Sequence, residues 1–302
     1  MSLWGKNLSD YLHFVRTGIV VILVILVMGV IRFIVGASGV PYDRATHLVS
    51  MTIVTLLAAL IYGQRARASG FGGYRHLLPL AILLAATMYG FIIVAILVEG
   101  LSGIHGYFHS PGAGQAPAGM GIGDHIVGQL MVMPISAVVL WGVSSLGFLL
   151  SRQLGYLRNA FLMLAALAVL RMLVGALGVP YAIGTWPTSL TLMAMGLSFY
   201  YGYRAPSRGL SGYGHMLLVG ALMAACLTLL VVYGILVTEG LDVANYFHAP
   251  GEGFQPAGMS SAQHILGHFQ FSIVAMVFLS FLAVAGFAAG KRKASTPAPQ
   301  AA

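Results

Sequence analysis

Charge is scarce in this chain. Only 7% of its 302 residues are Asp, Glu, Lys or Arg, against about 25% in soluble domains, which excludes a soluble globular protein. Acids are scarcer still, seven against fifteen basic residues, and no Glu-x-x-His motif of the di-iron bundle type occurs. The single Cys226 sits in an apolar run, which excludes a disulfide framework and makes it a small core residue. The Gly-rich runs lack the Lys-Ser/Thr ending of a phosphate loop, and no spacing matches a strong zinc signature.

What is present is apolar. Hydrophobic residues make up 59% of the chain and mean hydropathy is +0.90. Crossing a hydrocarbon core of about 30 Å takes about 20 apolar residues. Eight stretches qualify, near 17–36, 46–64, 77–98, 125–150, 157–176, 185–203, 214–237 and 264–289. The first is longer than a signal-peptide core and its Arg32 and Gly36 recur in the fifth, so it reads as a retained helix.

The net charge of +8 marks topology rather than nucleic-acid binding. Twelve of the fifteen basic residues, from Lys6 to Lys293, fall on one side of an eight-span model, which the positive-inside rule makes the cytoplasm. Both termini then lie in the cytoplasm, as in a bacterial inner-membrane protein, with the bilayer and its anionic headgroups as the immediate partner. The connections after spans three and seven hold Glu99, Asp124, Glu239, Asp242 and Glu252 without Lys or Arg, as an outer face would.

The chain also repeats itself at an offset of 139 residues, the separation of Arg32 and Arg171. Arg-x-x-Val-Gly-Ala-x-Gly-Val-Pro-Tyr occurs from both, Tyr107-Phe108-His109 recurs as Tyr246-Phe247-His248, and His125 recurs as His264. Thr46 with Thr185, Ser50 with Ser189 and His76 with His215 follow the same offset. The expectation is an all-α polytopic membrane protein: eight transmembrane helices as two tandem four-helix repeats, 1–150 and 151–290, with a disordered cytoplasmic tail at 291–302. Four spans per repeat make the copies parallel, related by a pseudo-two-fold axis along the membrane normal.

Chemistry concentrates in the outer connection of each repeat, whose Gly and Pro residues supply turns. His109 and His125 in one copy, and His248 and His264 in the other, can converge on copper, iron or zinc, since imidazole suits all of these. His268 lies one turn beyond His264 where the first repeat has Gln129, and His105 is extra in the first repeat. The competing reading is that these imidazoles cap helices and bond loop carbonyls.

Arg32 and Arg171 fall late in apolar spans, where a bare charge costs on the order of 3 kcal/mol or more. Ion pairs Arg32 with Glu99 and Arg171 with Glu239 are expected. Because His215 to Glu239 is one residue longer than His76 to Glu99, this pairing implies an insertion in the second copy. Alternatively the arginines, with Tyr107 and Tyr246 nearby, hold an anionic group such as a carboxylate, a phosphate or haem propionates. His76 and His215 begin spans three and seven as interfacial anchors or as axial haem ligands. His13 and His47 receive no role, and Pro79, Pro134 and Pro187 are expected to break or kink their spans.

Three functions fit. One is a metal- or haem-bearing redox protein, or a subunit of a membrane electron-transfer assembly. Another is a two-fold pseudosymmetric transporter or channel, and the third a structural subunit of a membrane complex. A homo-oligomer or larger complex is open in each; a nucleic-acid partner is not expected.

Overall fold

The structure, a computed structural model, describes residues 2–42, 48–104, 106–111, 117–210, 212–243, 245–253 and 255–295. Thr46, His47, His105 and the tail from 296 lie outside the described residues. Those described are helical apart from connecting turns and a two-residue ladder, Ser2–Leu3 with Lys6–Asn7. Among the described residues six helices are long and apolar enough to cross a membrane: Ile19–Ala37, Tyr74–Ser102, Ile122–Leu149, Ser151–Ala176, Tyr213–Leu241 and Ser261–Arg292. Large apolar side chains such as Leu23, Val27, Met131, Ile135, Ile273 and Phe281 are exposed along them, which suits a lipid bilayer and no aqueous surface.

The chain divides into two compact units, Met1–Gly155 and Tyr156–Ala302. The first holds α1 (Leu8–Arg16), α2 (Ile19–Ala37), α3 (Met51–Ala68), α4 (Leu77–Ser102) and α5 (Ile122–Leu149). The boundary falls inside α6 (Ser151–Ala176). The second unit continues with α7 (Tyr181–Gly184), α8 (Leu190–Arg204), α9 (Tyr213–Leu241) and α10 (Ser261–Ser295).

Two of the eight expected stretches form shorter helices. At a rise of about 1.5 Å per residue, α3 reaches about 27 Å and α8 about 22 Å, and α3 ends on Arg65 and Arg67. Both are held by close backbone packing. A Cβ on Gly63 would strike the Ser144 carbonyl and one on Gly147 the Leu60 carbonyl, so α3 and α5 approach through glycines on both sides. In the second unit Gly202 meets the Ala283 carbonyl and Gly286 the Phe199 carbonyl, joining α8 and α10 the same way. Such small-residue contacts are a principal means of helix association in membranes. Each short helix starts on a serine cap: Ser50 Oγ accepts from the Ile53 amide at 3.4 Å and Ser189 Oγ from Leu192 at 3.3 Å.

Four details depart from the sequence reading. Residues 8–16 form an additional helix, α1, whose Phe14 stacks on Phe71 at 4.4 Å between ring centres. Only Pro134 lies within a helix interior; Pro79 occupies the first turn of α4, where its missing N–H is harmless, and Pro187 lies in the turn between α7 and α8. α10 continues to Ser295, so that Lys291 and Arg292 belong to its end rather than to a disordered tail, and there they oppose the negative end of the helix dipole. Lys291 also stands over the Phe287 ring at 4.9 Å.

Candidate functional site

In each unit the repeated sequence around the arginine packs onto the repeated Tyr-Phe-His. Gly36 admits the loop because a Cβ there would meet the Tyr107 amide nitrogen at 2.8 Å; Gly175 does the same for Tyr246 at 2.9 Å. The Tyr107 hydroxyl then donates to the Val40 carbonyl at 2.7 Å, and that of Tyr246 to Val179 at 2.5 Å. Burial pushes the Tyr107 phenol above its ordinary value, against the lowering effect of the Arg32 charge, so its hydroxyl remains a donor.

Arg32 donates to the carbonyls of Val49 at 3.4 Å and Tyr107 at 3.5 Å, and lies over the Tyr107 and Phe108 rings at 5.6 and 5.4 Å. Arg171 donates to the carbonyls of Thr185, Thr188 and Tyr246 at 3.2, 3.3 and 3.4 Å and lies over Tyr246 and Phe247, each at 5.6 Å. Carbonyl dipoles and ring faces thus surround both guanidiniums.

Among the described residues neither expected pair closes to an ion-pair contact, although the Arg32 charge still acts on Glu99 electrostatically. Glu99 is only 2% exposed, and its Oε2 accepts from the amides of Phe108 at 3.0 Å and His109 at 2.6 Å, while Oε1 has no hydrogen-bond partner. The carboxylate therefore closes the loop rather than meeting Arg32. Glu239 is exposed, and the buried residue in the register of Glu99 is Thr238. The expected insertion is absent, since the offset of 139 holds through α9. Thr238 and Asn245, which sequence reasoning missed, perform the loop-closing role: Asn245 Oδ1 accepts from Thr238 Oγ1 at 2.7 Å and from the Phe247 amide at 2.8 Å. Reading the offset strictly would have placed Thr238 opposite Glu99 and Asn245 opposite Gly106.

The loop closure brings its histidine onto the start of the following helix. His109 Nδ1 lies 3.3 Å from His125 Nδ1, and His248 Nδ1 lies 3.1 Å from His264 Nδ1. The other ring nitrogen is also engaged: His125 Nε2 faces Gln129 Nε2 at 3.2 Å, and His264 Nε2 faces His268 Nε2 at 3.2 Å. His264 turns one nitrogen to each neighbour, so His248, His264 and His268 do not converge on one point. Among the described residues no group of three or more His, Cys, Asp or Glu is disposed to hold a metal ion.

His76 belongs to a different setting. It is buried, its Nδ1 accepts from the Gly73 amide at 3.0 Å, and its Nε2 meets the Trp4 carbonyl at 3.1 Å. With both ring nitrogens committed, it anchors the chain before α1 and is not free for axial haem ligation. His215 is half-buried at the start of α9, in the other unit.

The second unit also contains a cavity of about 300 Å³. Its polar lining includes Arg171, Tyr181, Gln255, His264 and His268; Val231, Phe247 and Met259 line it with apolar surface. Gln255 was not anticipated, because position 116 in the first unit is alanine and gives no repeated signal. No protein-family model, characterised protein or solved structure matches the chain.

Proposed function

We propose that the chain is a membrane redox protein, or a subunit of a membrane electron-transfer assembly, that holds a transition-metal ion at each imidazole pair, His109 with His125 and His248 with His264. In this reading the units are tandem repeats. α3 and α8 complete eight membrane helices, both termini lie in the cytoplasm, and the histidine loops lie on the outer face of a bacterial inner membrane.

The observation that supports this best is the separation of the paired Nδ1 atoms, 3.3 and 3.1 Å. Two imidazole nitrogens bound at about 2.0–2.1 Å to one tetrahedral ion stand about 3.3 Å apart. The pair recurs in two units whose surrounding polar groups differ, which favours a shared task over local hydrogen bonding. Copper, iron and zinc all accept imidazole, and the first two supply one-electron chemistry. With two protein ligands, coordination positions remain for water or another small ligand. Loading Nδ1 leaves the proton of His125 and His264 on Nε2. His268 can accept it in the second unit, and Gln129 in the first once its amide presents oxygen.

Metal content per chain tests the reading on detergent-purified protein, with iron, copper and zinc measured together. Two equivalents are expected, falling to one in His109→Ala and in His248→Ala. Metal-free protein that takes up none of the three ions on dialysis would overturn it, leaving the imidazoles as hydrogen-bonded loop clamps.

A further inference from the structure

The cavity in the second unit, besides His264 and His268, joins three features that the metal reading does not use. First, Arg171 is a half-buried cation in an apolar helix, and among the described residues its hydrogen-bond partners are Thr185, Thr188, Tyr246 and the Tyr181 side chain, none of them a carboxylate. Carbonyl dipoles stabilise such a charge without neutralising it, and a counter-anion removes the rest of the burial penalty. Second, the polar lining offers donors and no Asp or Glu. Gln255 Oε1 already accepts from the Ala249 amide at 2.7 Å, which leaves its NH₂ free to donate. Ser189 Oγ accepts from Leu192 at 3.3 Å and retains its own proton. Third, Val231, Phe247 and Met259 furnish an apolar flank beside the donors, a division that suits a ligand with a charged head and a hydrocarbon part.

We propose that this cavity binds the oxyanion head of an amphiphile, a phosphate or carboxylate carried on an apolar chain, with Arg171 as its counter-charge and Gln255, Ser189 and His268 as further donors. The planar guanidinium suits either oxyanion because two of its N–H groups can meet two oxygens at once. The site is particular to the second unit: alanine stands at position 116 in place of Gln255 and Gln129 in place of His268. The shared chemistry has two sources, an anionic lipid of the bilayer or a free organic anion. The proposal does not depend on metal at the histidine pairs.

Native mass spectrometry on the full chain, stripped with EDTA, provides the test. Wild-type protein is offered phosphatidylglycerol or phosphatidylcholine, each with and without excess octanoate or inorganic phosphate. Retention of phosphatidylglycerol at least tenfold above phosphatidylcholine is expected. Arg171→Gln should abolish that preference and His268→Gln, which reproduces the residue of the first unit, should lower retention severalfold. Displacement by octanoate or phosphate identifies a free anion as the preferred occupant, and retention despite them identifies a lipid. Either result supports the proposal. Equal retention of the two lipids without binding of either free anion overturns it. So does retention unchanged in both variants while each remains monodisperse and helical. Because metal is absent throughout, failure here leaves the coordination reading standing, and loss of metal in the histidine variants leaves this one standing.

Discussion

Thr238 donates its hydroxyl to Asn245 Oδ1 at 2.7 Å, and together these two residues fill the place that Glu99 fills alone in the first unit. The acceptor of the Phe108 amide is supplied by a helix, that of the Phe247 amide by the loop itself. The exchange requires glycine opposite the longer side chain, since a Cβ on Gly106 would overlap the Glu99 carboxylate. Side-chain volume and hydrogen-bond acceptor have moved together from one position to another seven residues along the chain.

That relationship predicts strong coupling. Gly106→Asn alone places an amide against the carboxylate and should destabilise the first unit by about 3 kcal/mol, in the range of severe overpacking. Glu99→Thr alone removes the acceptor of one buried and one half-buried amide, at about 2–3 kcal/mol. The double variant recreates the arrangement of the second unit and should lie at least about 1 kcal/mol above the additive sum. Unfolding in mixed micelles measures the cycle; simple additivity would refute the exchange.

The same geometry separates Thr238 from its neighbour. Glu239→Gln alters an exposed side chain with no bond to Arg171 and should change stability by less than about 0.5 kcal/mol. Thr238→Ala leaves Asn245, 4% exposed, without its hydroxyl partner and should cost about 1–2 kcal/mol. A larger effect at Glu239 than at Thr238 would restore the ion pair expected from sequence.

The sequence displayed the six long helices through composition alone, and the 139-residue offset identified the arginine, tyrosine and histidine positions that meet in each unit. It concealed the Glu99 exchange, because a search for a second acid stops at Glu239, one residue past the register that packing keeps. It offered an anchor as one role for His76 but concealed the partners, the amide of Gly73 and the carbonyl of Trp4, because backbone groups carry no residue-specific signal. α1 was illegible for a third reason. Nine residues are too few to announce a helix by periodicity, and its stability comes from Phe14 and Tyr11 packing on Phe71.

The glycine seams predict sensitivity where a side chain would meet backbone. Gly63→Ala and Gly202→Ala each direct a methyl group at a carbonyl of the partner helix, and because that neighbour is main chain, relief requires the helices to separate. Each should cost about 2 kcal/mol or more. Gly142, with nothing near its would-be Cβ, should tolerate alanine. Thermal stability of the three purified variants compares them directly.

Tyr107 gives an alkaline signature. Its phenol titrates above the ordinary value because burial disfavours the phenolate. The folded state therefore holds the proton more tightly, and the associated stability is fully present below about pH 10, the value of an exposed tyrosine, and lost as pH rises through the elevated folded value. Tyr107→Phe forfeits the bond to Val40 and should cost about 1 kcal/mol at neutral pH. The gap between variant and wild type should narrow above about pH 10, as melting temperatures recorded from pH 7 upward would reveal. A gap independent of pH would mean that the hydroxyl does not titrate as a buried group.

The two imidazole pairs should not bind metal equally, because the groups behind them differ. His264 Nε2 faces another imidazole and His125 Nε2 faces an amide. A metal on Nδ1 puts the proton on Nε2, where a stronger acceptor raises the electron density of the ligating ring, and such outer contacts change affinity by about 10–100-fold. The second-unit site should therefore be the tighter. His268→Gln should weaken it about tenfold towards the first, and Gln129→His should strengthen the first by a similar factor. Competition with a chelator of known affinity resolves the two sites when each is measured in a background lacking the other histidine pair. If exchanging the residues at 129 and 268 leaves both affinities unchanged, the Nε2 contacts orient the rings without tuning them, and any inequality must originate in the ligands that complete each coordination sphere.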